Sequence, residues 1–364
     1  MKRERVVLAM SGGVDSSVSA QLLVDQGYDV VGVFMRTGAM PTEDSCDLEA
    51  PAPNRIRGCC SARDAGDAQR IADRLDIPFY ALDFADEFER IKEYFADEYS
   101  RARTPNPCVV CNTWLKFGKL WDYAKAIGAD RIATGHYART EVGDDGVTRL
   151  LRGTDPAKDQ SYFLFGLRYE ILARTMFPIG AMPKPEVRAI AEEKSLGVAK
   201  KPDSQEICFV PDGKHAEFVK RRRPELARAG EIVDPSGRVV GEHAGIANFT
   251  IGQRKGLGVA FGEPRYVVSI DDAANRVMIG ERDLLLRREL EAERTSWLLP
   301  EAPTGRIRAS VKIRYLHAAA PATVEILPEG RARVIFDSPQ SAVAPGQATV
   351  FYDGDRTLGG GWIV

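Results

Sequence analysis

The chain has almost no net charge: 50 lysines and arginines stand against 52 aspartates and glutamates, a formal −2. No global basic field therefore advertises a nucleic-acid partner, although a local patch needs only a few side chains. Lys220-Arg221-Arg222-Arg223 is one candidate patch, with a solvated helix end before Pro224 as the plain alternative. No apolar run reaches the roughly 18 residues that a membrane helix requires. Met1-Lys2-Arg3-Glu4-Arg5 leads straight into a strand and leaves no room for a signal peptide, so a cytoplasmic chain is expected. Internal repeats and low-complexity tracts are lacking. Cysteine is sparse as well. The six stand at 46, 59, 60, 108, 111 and 208, and in a reducing compartment they do not make a structural disulfide framework. Cys46, Cys59 and Cys60 fall in a segment rich in Pro, Asp and Gly and read as loop thiols without chemistry.

With 364 residues the chain is long for one core, and two or three domains are expected. Its first 200 residues alternate strand-like and helix-like stretches. Val6 to Met10, Asp29 to Phe34, Phe79 to Phe84 and Arg131 to His136 read as strands. Helices are expected through Leu23, over Ala62 to Leu75, over Ala85 to Ser100, and along a face made by Phe117, Leu120, Trp121, Ala124 and Ile127. Val187, Ile190 and Ala191 mark another, stopping at Gly197. This alternation argues for an α/β class with a doubly wound parallel sheet, in which ligands bind at the carboxyl ends of the strands. After about Pro211 the pattern turns to β. Tyr266 to Ile270 and Arg276 to Ile279 are short strands, and hairpins are expected around Pro328-Glu329-Gly330 and Asp353-Gly354-Asp355. The reading is a nucleotide domain over 1–211 followed by two small barrel-like β domains, 212–288 and 289–364.

Ser11-Gly12-Gly13-Val14-Asp15-Ser16 lies between the first strand and the first helix. Glycines there let backbone N–H groups approach a phosphate, and the helix N-terminus adds partial positive charge. Ser11 and Ser16 offer hydroxyls, and Asp15 can orient a magnesium ion. The Gly-Lys-Ser/Thr ending of a Walker A loop is absent. The stretch resembles the pyrophosphate loop of ATP pyrophosphatases, which implies cleavage of ATP between the α and β phosphates and adenylation of a substrate oxygen. Cys108 and Cys111 form a C-x-x-C on a proline-framed loop, Thr104-Pro105-Asn106-Pro107, and Cys208 lies far along the chain. Cysteines at an adenylating site suggest sulfur transfer: ATP makes an oxygen a leaving group, and a thiolate or persulfide displaces it.

Five segments then occur in order: S-G-G-V-D-S, T-P-N-P-x-x-x-C-N at 104–112, T-G-H-Y-A-R at 134–139, K-D-Q-S-Y-F-L at 158–164, and Asp203-Ser204 to Cys208-Phe209. Together they resemble the bacterial tRNA-specific 2-thiouridylases, over essentially the whole chain. The resemblance implies sulfur insertion at the wobble uridine of lysine, glutamate and glutamine tRNAs, with a persulfide donor or relay protein as partner. It implies ATP contacts from Ala9, Met10, Ser11, Gly12, Gly13, Val14, Asp15, Ser16, Met35 and Gly135, and magnesium as companion ion. Cys111 matches the family's nucleophile and Cys208 its persulfide carrier, a pair that can close as a disulfide. Asn106, Pro107 and Cys108 fall around the target base. His136, Lys158, Asp159, Gln160, Arg314, Tyr315 and Gln347 fall at tRNA contacts. One position departs from the common pattern, which has Asp where this chain has Cys108. Cys108, Cys111 and Cys208 could then hold a [4Fe–4S] cluster with one open iron, as the alternative to a protein persulfide. Zinc on the same three lacks a fourth ligand in the sequence. An amidating ligase acting on a small acid, or a scaffold that merely binds tRNA, would leave the cysteines idle.

Overall fold

A computed structural model describes residues 3–38, 62–203, 207–210, 213–259 and 262–364. Cys46, Cys59 and Cys60 lie outside the described residues. The first domain runs β1 (Arg5–Ala9), α1 (Val14–Asp25), β2 (Asp29–Arg36), α2 (Ala62–Arg74), β3 (Phe79–Asp83), α3 (Ala85–Ser100) and α4 (Pro107–Val110). A π-helix over Cys111–Lys119 then leads into α5 (Leu120–Ala126), β4 (Arg131–Thr134), β5 (Ala138–Val142), β6 (Thr148–Arg152), α6 (Tyr169–Leu172), β7 (Thr175–Met176) and α7 (Lys184–Glu193). Five strands form one sheet in the order β3-β2-β1-β4-β7, each pair parallel. β1 is an unbroken apolar run because helices cover both faces, and Val6, Val7 and Leu8 are fully buried. The strand order reverses between β1 and β4, which is where such sheets open a ligand crevice. The Ser11–Ser16 loop leaves β1 at that point, and Gly135-His136 leaves β4 beside it.

α1 is buried nearly all round, serines included. Ser17 and Ser19 satisfy their hydroxyls on the carbonyls of Gly13 and Asp15, at 2.9 and 2.8 Å. Its serines are therefore tolerated beside Val14, Val18, Ala20 and Leu23 in a helix packed between α2 and α7.

The segment expected as a loop around Cys108 and Cys111 is helical. Asn106 caps α4 by accepting from the Val109 N–H at 3.3 Å, and Pro107 takes the first helical position, where its missing N–H costs nothing. Cys111 opens the π-helix, and Phe117, Leu120 and Ala124 on its continuation are buried against the sheet.

After α8 (His215–Arg222) the central β domain is one four-stranded sheet built from β8 (Gly230–Val233), β9 (Val239–His243), β10 (Tyr266–Asp271) and β11 (Arg276–Gly280), in the order β10-β11-β8-β9. The last domain comprises β12 (Leu286–Trp297), β13 (Arg306–Lys312), β14 (Ala320–Leu327), β15 (Arg331–Ser341), β16 (Ala348–Asp353) and β17 (Arg356–Ile363). Pairing of β12 with β17 closes these six strands into a barrel around Val311, Val324, Val334, Phe336 and Phe351. The β5–β6 hairpin of the first domain adds to its outside through β6–β17 pairing, which ties the barrel to the first domain.

The basic run at 220–223 is largely committed to structure. Arg223 binds Glu93 at 2.6 Å and Asp97 at 2.7 Å, and Arg222 binds Glu89 at 2.5 Å and also Glu93. These pairs pin α8 to the acidic face of α3, and only Arg221 of the three arginines is exposed. A nucleic-acid patch built on all four cations is therefore not present.

Candidate active site

The Ser11–Ser16 loop is shaped by contacts that only glycine permits. Gly12 has φ +69°, and a Cβ there would lie 2.1 Å from the Asp64 carbonyl oxygen. Ser11 N–H donates to Ser16 Oγ at 3.1 Å, and Ser16 Oγ donates to the Gly13 carbonyl at 3.2 Å, folding the loop over the start of α1. No side chain caps α1 at Gly13, so the cap supplies no side-chain acceptor for the N–H groups of its first turn. Gly135, at the end of β4, packs directly on this loop, and a Cβ there would come within 2.9 Å of Asp15 C and Ser16 N. Gly135→Val should therefore push the loop open, with at least a tenfold loss of ATP affinity in a nucleotide titration. Wild-type affinity in a folded variant would refute this packing argument.

Asp15 is the hub. Its Oδ1 accepts from Tyr137 Oη at 2.8 Å, and the Lys184 ammonium reaches both carboxylate oxygens at 2.8 and 2.9 Å. Burial and the Asp15 charge push the Tyr137 hydroxyl's pKa up, so it stays a donor. Lys184 also binds Asp203 at 2.8 Å, which in turn holds Lys158 at 2.7 Å and Arg188 at 2.8 Å. Burial opposes the charge on Asp203, but hydrogen bonds from Lys158 and Lys184 outweigh it and bring its pKa down to about 2. The same bond raises the pKa of Lys158. An unbroken chain of ion pairs thus runs from the loop after β1 to the stretch that leads into Cys208. Lys201 adds a brace, bonding the Gly12 carbonyl at 2.9 Å and Asp67 at 2.7 Å. Sequence reading assigned no role to Tyr137, Lys184, Lys201 or Asp203. Tyr137 and Asp203 stand inside quoted motifs, whereas Lys184 offers one signal alone: a cation in the first turn of a helix, where the dipole disfavours it.

Met35 stands one residue before the end of β2 and pairs with Leu82, its side chain half-buried. His136 is buried between Phe117 and Phe177, with Nδ1 2.7 Å from Thr134 Oγ1 and Nε2 3.4 Å from Lys116 Nζ. Burial first, and then the Lys116 charge, lowers its pKa well below the ordinary value and keeps it neutral. Asp159 is buried and receives the Gly153 and Ser161 N–H groups, both at 3.0 Å, while Gln160 Oε1 receives the Tyr137 N–H at 2.9 Å. Tyr315 packs on Phe163 with centroids 4.6 Å apart, and Arg314 donates to the Ser341 carbonyl at 3.1 Å. Gln347 reaches from the barrel to the carbonyls of Thr104 and Pro105, at 3.1 and 3.2 Å. It fixes the strand-like approach to Asn106, Pro107 and Cys108.

Cys111 and Cys208 are half-buried and pack on one apolar cluster with Phe88, Val109 and Phe209, whereas Cys108 is exposed. Among the described residues no three His, Cys, Asp or Glu side chains gather as a metal-holding group. The three cysteines therefore do not fit a [4Fe–4S] cluster in this conformation, nor do they make a zinc site. Magnesium is a different case. Asp15 presents one carboxylate beside an anion loop, and magnesium commonly takes one or two carboxylates and draws its remaining ligands from substrate phosphates and water.

Similarity to known proteins follows the same architecture. Residues 4–212 match the family model described as tRNA methyl transferase HUP domain, 216–281 the tRNA methyl transferase PRC-barrel domain, and 287–363 the aminomethyltransferase beta-barrel domain. The tRNA-specific 2-thiouridylase MnmA of Geotalea uraniireducens is 50% identical over 363 residues, 100% of this chain and 95% of the relative. That of Rhodopirellula baltica is 49% identical over 385 residues, covering 99% and 96%. That of Clostridium perfringens is 44% identical over 364 residues, covering 100% and 99%. Identity at this level along the full length, with the loop, both cysteine segments and the two β domains in place, makes the chain a member of the tRNA-specific 2-thiouridylase family.

Proposed function

We propose that the chain uses ATP to replace the 2-oxygen of the wobble uridine in lysine, glutamate and glutamine tRNAs with sulfur, in the cytoplasm, using sulfur delivered by a persulfide donor. The observation that carries this reading is the ion-pair chain Asp15–Lys184–Asp203, which links the ATP loop to the segment bearing Cys208. The uridine 2-oxygen attacks the α-phosphorus of ATP, the bond to the β-phosphate oxygen breaks, and pyrophosphate leaves. Asp15 would hold magnesium, which would supply charge neutralisation when bound. The terminal sulfur of a Cys208 persulfide then attacks C2, and AMP departs with the former 2-oxygen. The Cys111 thiolate attacks Cys208 Sγ, so the sulfur stays on the nucleoside and the two cysteines are left as a disulfide. An external thiol resets them. The half-buried pair on one apolar cluster suits this, because water is kept from a reactive persulfide.

A wobble base lies in a single-stranded loop, and drawing it into a pocket costs a few kcal/mol. Asn106, Pro107 and Cys108 would surround it, and Lys158, Arg314 and Tyr315 would meet the anticodon arm. Arg314→Ala should weaken tRNA binding and lower the slope of log affinity against log salt by about 1, with ATP affinity unaltered. An unchanged slope would return Arg314 to a plain barrel residue. The reading itself is tested by incubating the protein with Mg-ATP, a persulfide donor and unmodified tRNA, then measuring AMP and 2-thiouridine. tRNA-dependent appearance of both is expected. AMP formed with a small acid and ammonia instead would replace this reading with an amidating ligase.

A further inference from the structure

Lys184 is a lysine in an unfavourable place. It is 7% exposed, it sits in the first turn of α7, and its ammonium is shared between two carboxylates. A buried cation at the positive end of a helix is retained only if its partners hold it there. Those partners are unequal. Asp203 is already served by Lys158 at 2.7 Å and Arg188 at 2.8 Å, so it loses little if Lys184 departs. Asp15 has Lys184 as its only cation within 4.0 Å among the described residues, together with the neutral Tyr137 hydroxyl. Asp15 also stands in the first turn of α1, on the glycine loop.

We propose that Lys184 is a ligand for the pyrophosphate end of ATP, parked on Asp15 until the nucleotide arrives. This rests on the ATP reading of the Ser11–Ser16 loop given above. A divalent cation entering with the triphosphate competes for the Asp15 carboxylate with twice the charge of an ammonium. The displaced ammonium stays tethered by Asp203 and lies next to the loop whose backbone faces the phosphates. It then meets the anion that the metal brought. Asp15 exchanges an ammonium for the metal, Lys184 exchanges a carboxylate for a phosphate, and no charge is left unpaired. The Tyr137 ring, 5.7 Å from the ammonium, walls the other side. The arrangement also explains why this lysine is held rather than solvated: a positioned cation needs no reorganisation when negative charge builds on departing pyrophosphate.

The test is calorimetric titration of the full chain, without tRNA, with Mg-ATP, Mg-pyrophosphate and AMP. Lys184→Met should weaken ATP and pyrophosphate binding at least tenfold while changing AMP affinity less than twofold. Lys184→Gln keeps a donor beside Asp15, and the comparison is read from whichever variant melts as the wild type does. Equal affinity of variant and wild type for all three ligands would overturn the assignment. So would parallel loss of AMP and ATP, which marks general collapse of the loop. Wild-type protein that binds neither ATP nor pyrophosphate would remove the ATP reading together with the lysine's role, whereas normal wild-type binding with unaffected variants would remove the lysine's role alone.

Discussion

Asp15→Ala should lower tRNA-dependent AMP formation by about 10²–10³-fold, roughly 3–4 kcal/mol of transition-state stabilisation. The carboxylate is the loop's one acidic group, and it would hold the magnesium ion that accompanies ATP. Its structural contribution is smaller. An acidic side chain in the first turn of a helix gives about 0.3–1 kcal/mol, and Lys184, left behind, still has Asp203 at 2.8 Å. The loss of rate should therefore exceed the loss of stability several-fold, and a melting curve recorded beside the AMP assay separates them. Asp15→Asn makes the comparison sharper, since it keeps an acceptor for Tyr137 at nearly the same volume and removes only the charge. It should be almost as inactive as the alanine variant. Wild-type AMP formation in either would refute the loop's assignment to pyrophosphate and metal.

The alternation of apolar strands with amphipathic helices was enough to place β1, β2, β3 and β4 and the helices between them, because each is set by local periodicity. The hairpins at 328–330 and 353–355 were legible from turn residues alone. Three features were not, and each depends on distant partners. Arg222 and Arg223 look like a nucleic-acid patch until α3 supplies Glu89, Glu93 and Asp97 from more than a hundred residues away. The β5–β6 hairpin carries no mark of its attachment to a barrel strand at 356–357. Lys184 has no motif around it, and its meaning comes only from Asp15, 169 positions earlier. The helix at Pro107 is a different kind of omission. Asn106-Pro107 is a cap followed by an N1 proline, a helix start written in the sequence, although Pro105 and Pro107 together also fit a loop. Of the site itself, the ATP loop and the cysteine pair were legible, whereas the electrostatic chain joining them was not.

Cys208→Ser should abolish thiolation by either route, and Cys108→Ser should separate the two routes for sulfur. Loss of Cys208 removes the persulfide carrier, and thiolation should fall below detection while AMP formation on tRNA continues, since adenylation asks nothing of that thiol. Cys108 is exposed on the first turn of α4, whereas Cys111 and Cys208 are half-buried on one apolar cluster. In the persulfide route it is a pocket wall, so Cys108→Ser should keep at least about a third of the wild-type thiolation rate, and Cys108→Asp should restore the family's usual residue and do no worse. A cluster route makes opposite demands. There Cys108 is a ligand equal to the other two, and Cys108→Ser should lose iron and activity in step. The measurement is thiolation by anaerobically purified Cys108→Ser and wild-type protein, each stripped of iron and supplied with persulfide, or reconstituted with iron and inorganic sulfide. Robust activity of the iron-free protein with persulfide is the expected result, because among the described residues the three cysteines do not gather as a metal-holding group. Activity confined to the iron-reconstituted wild type would mean that the exposed cysteine is a ligand after all.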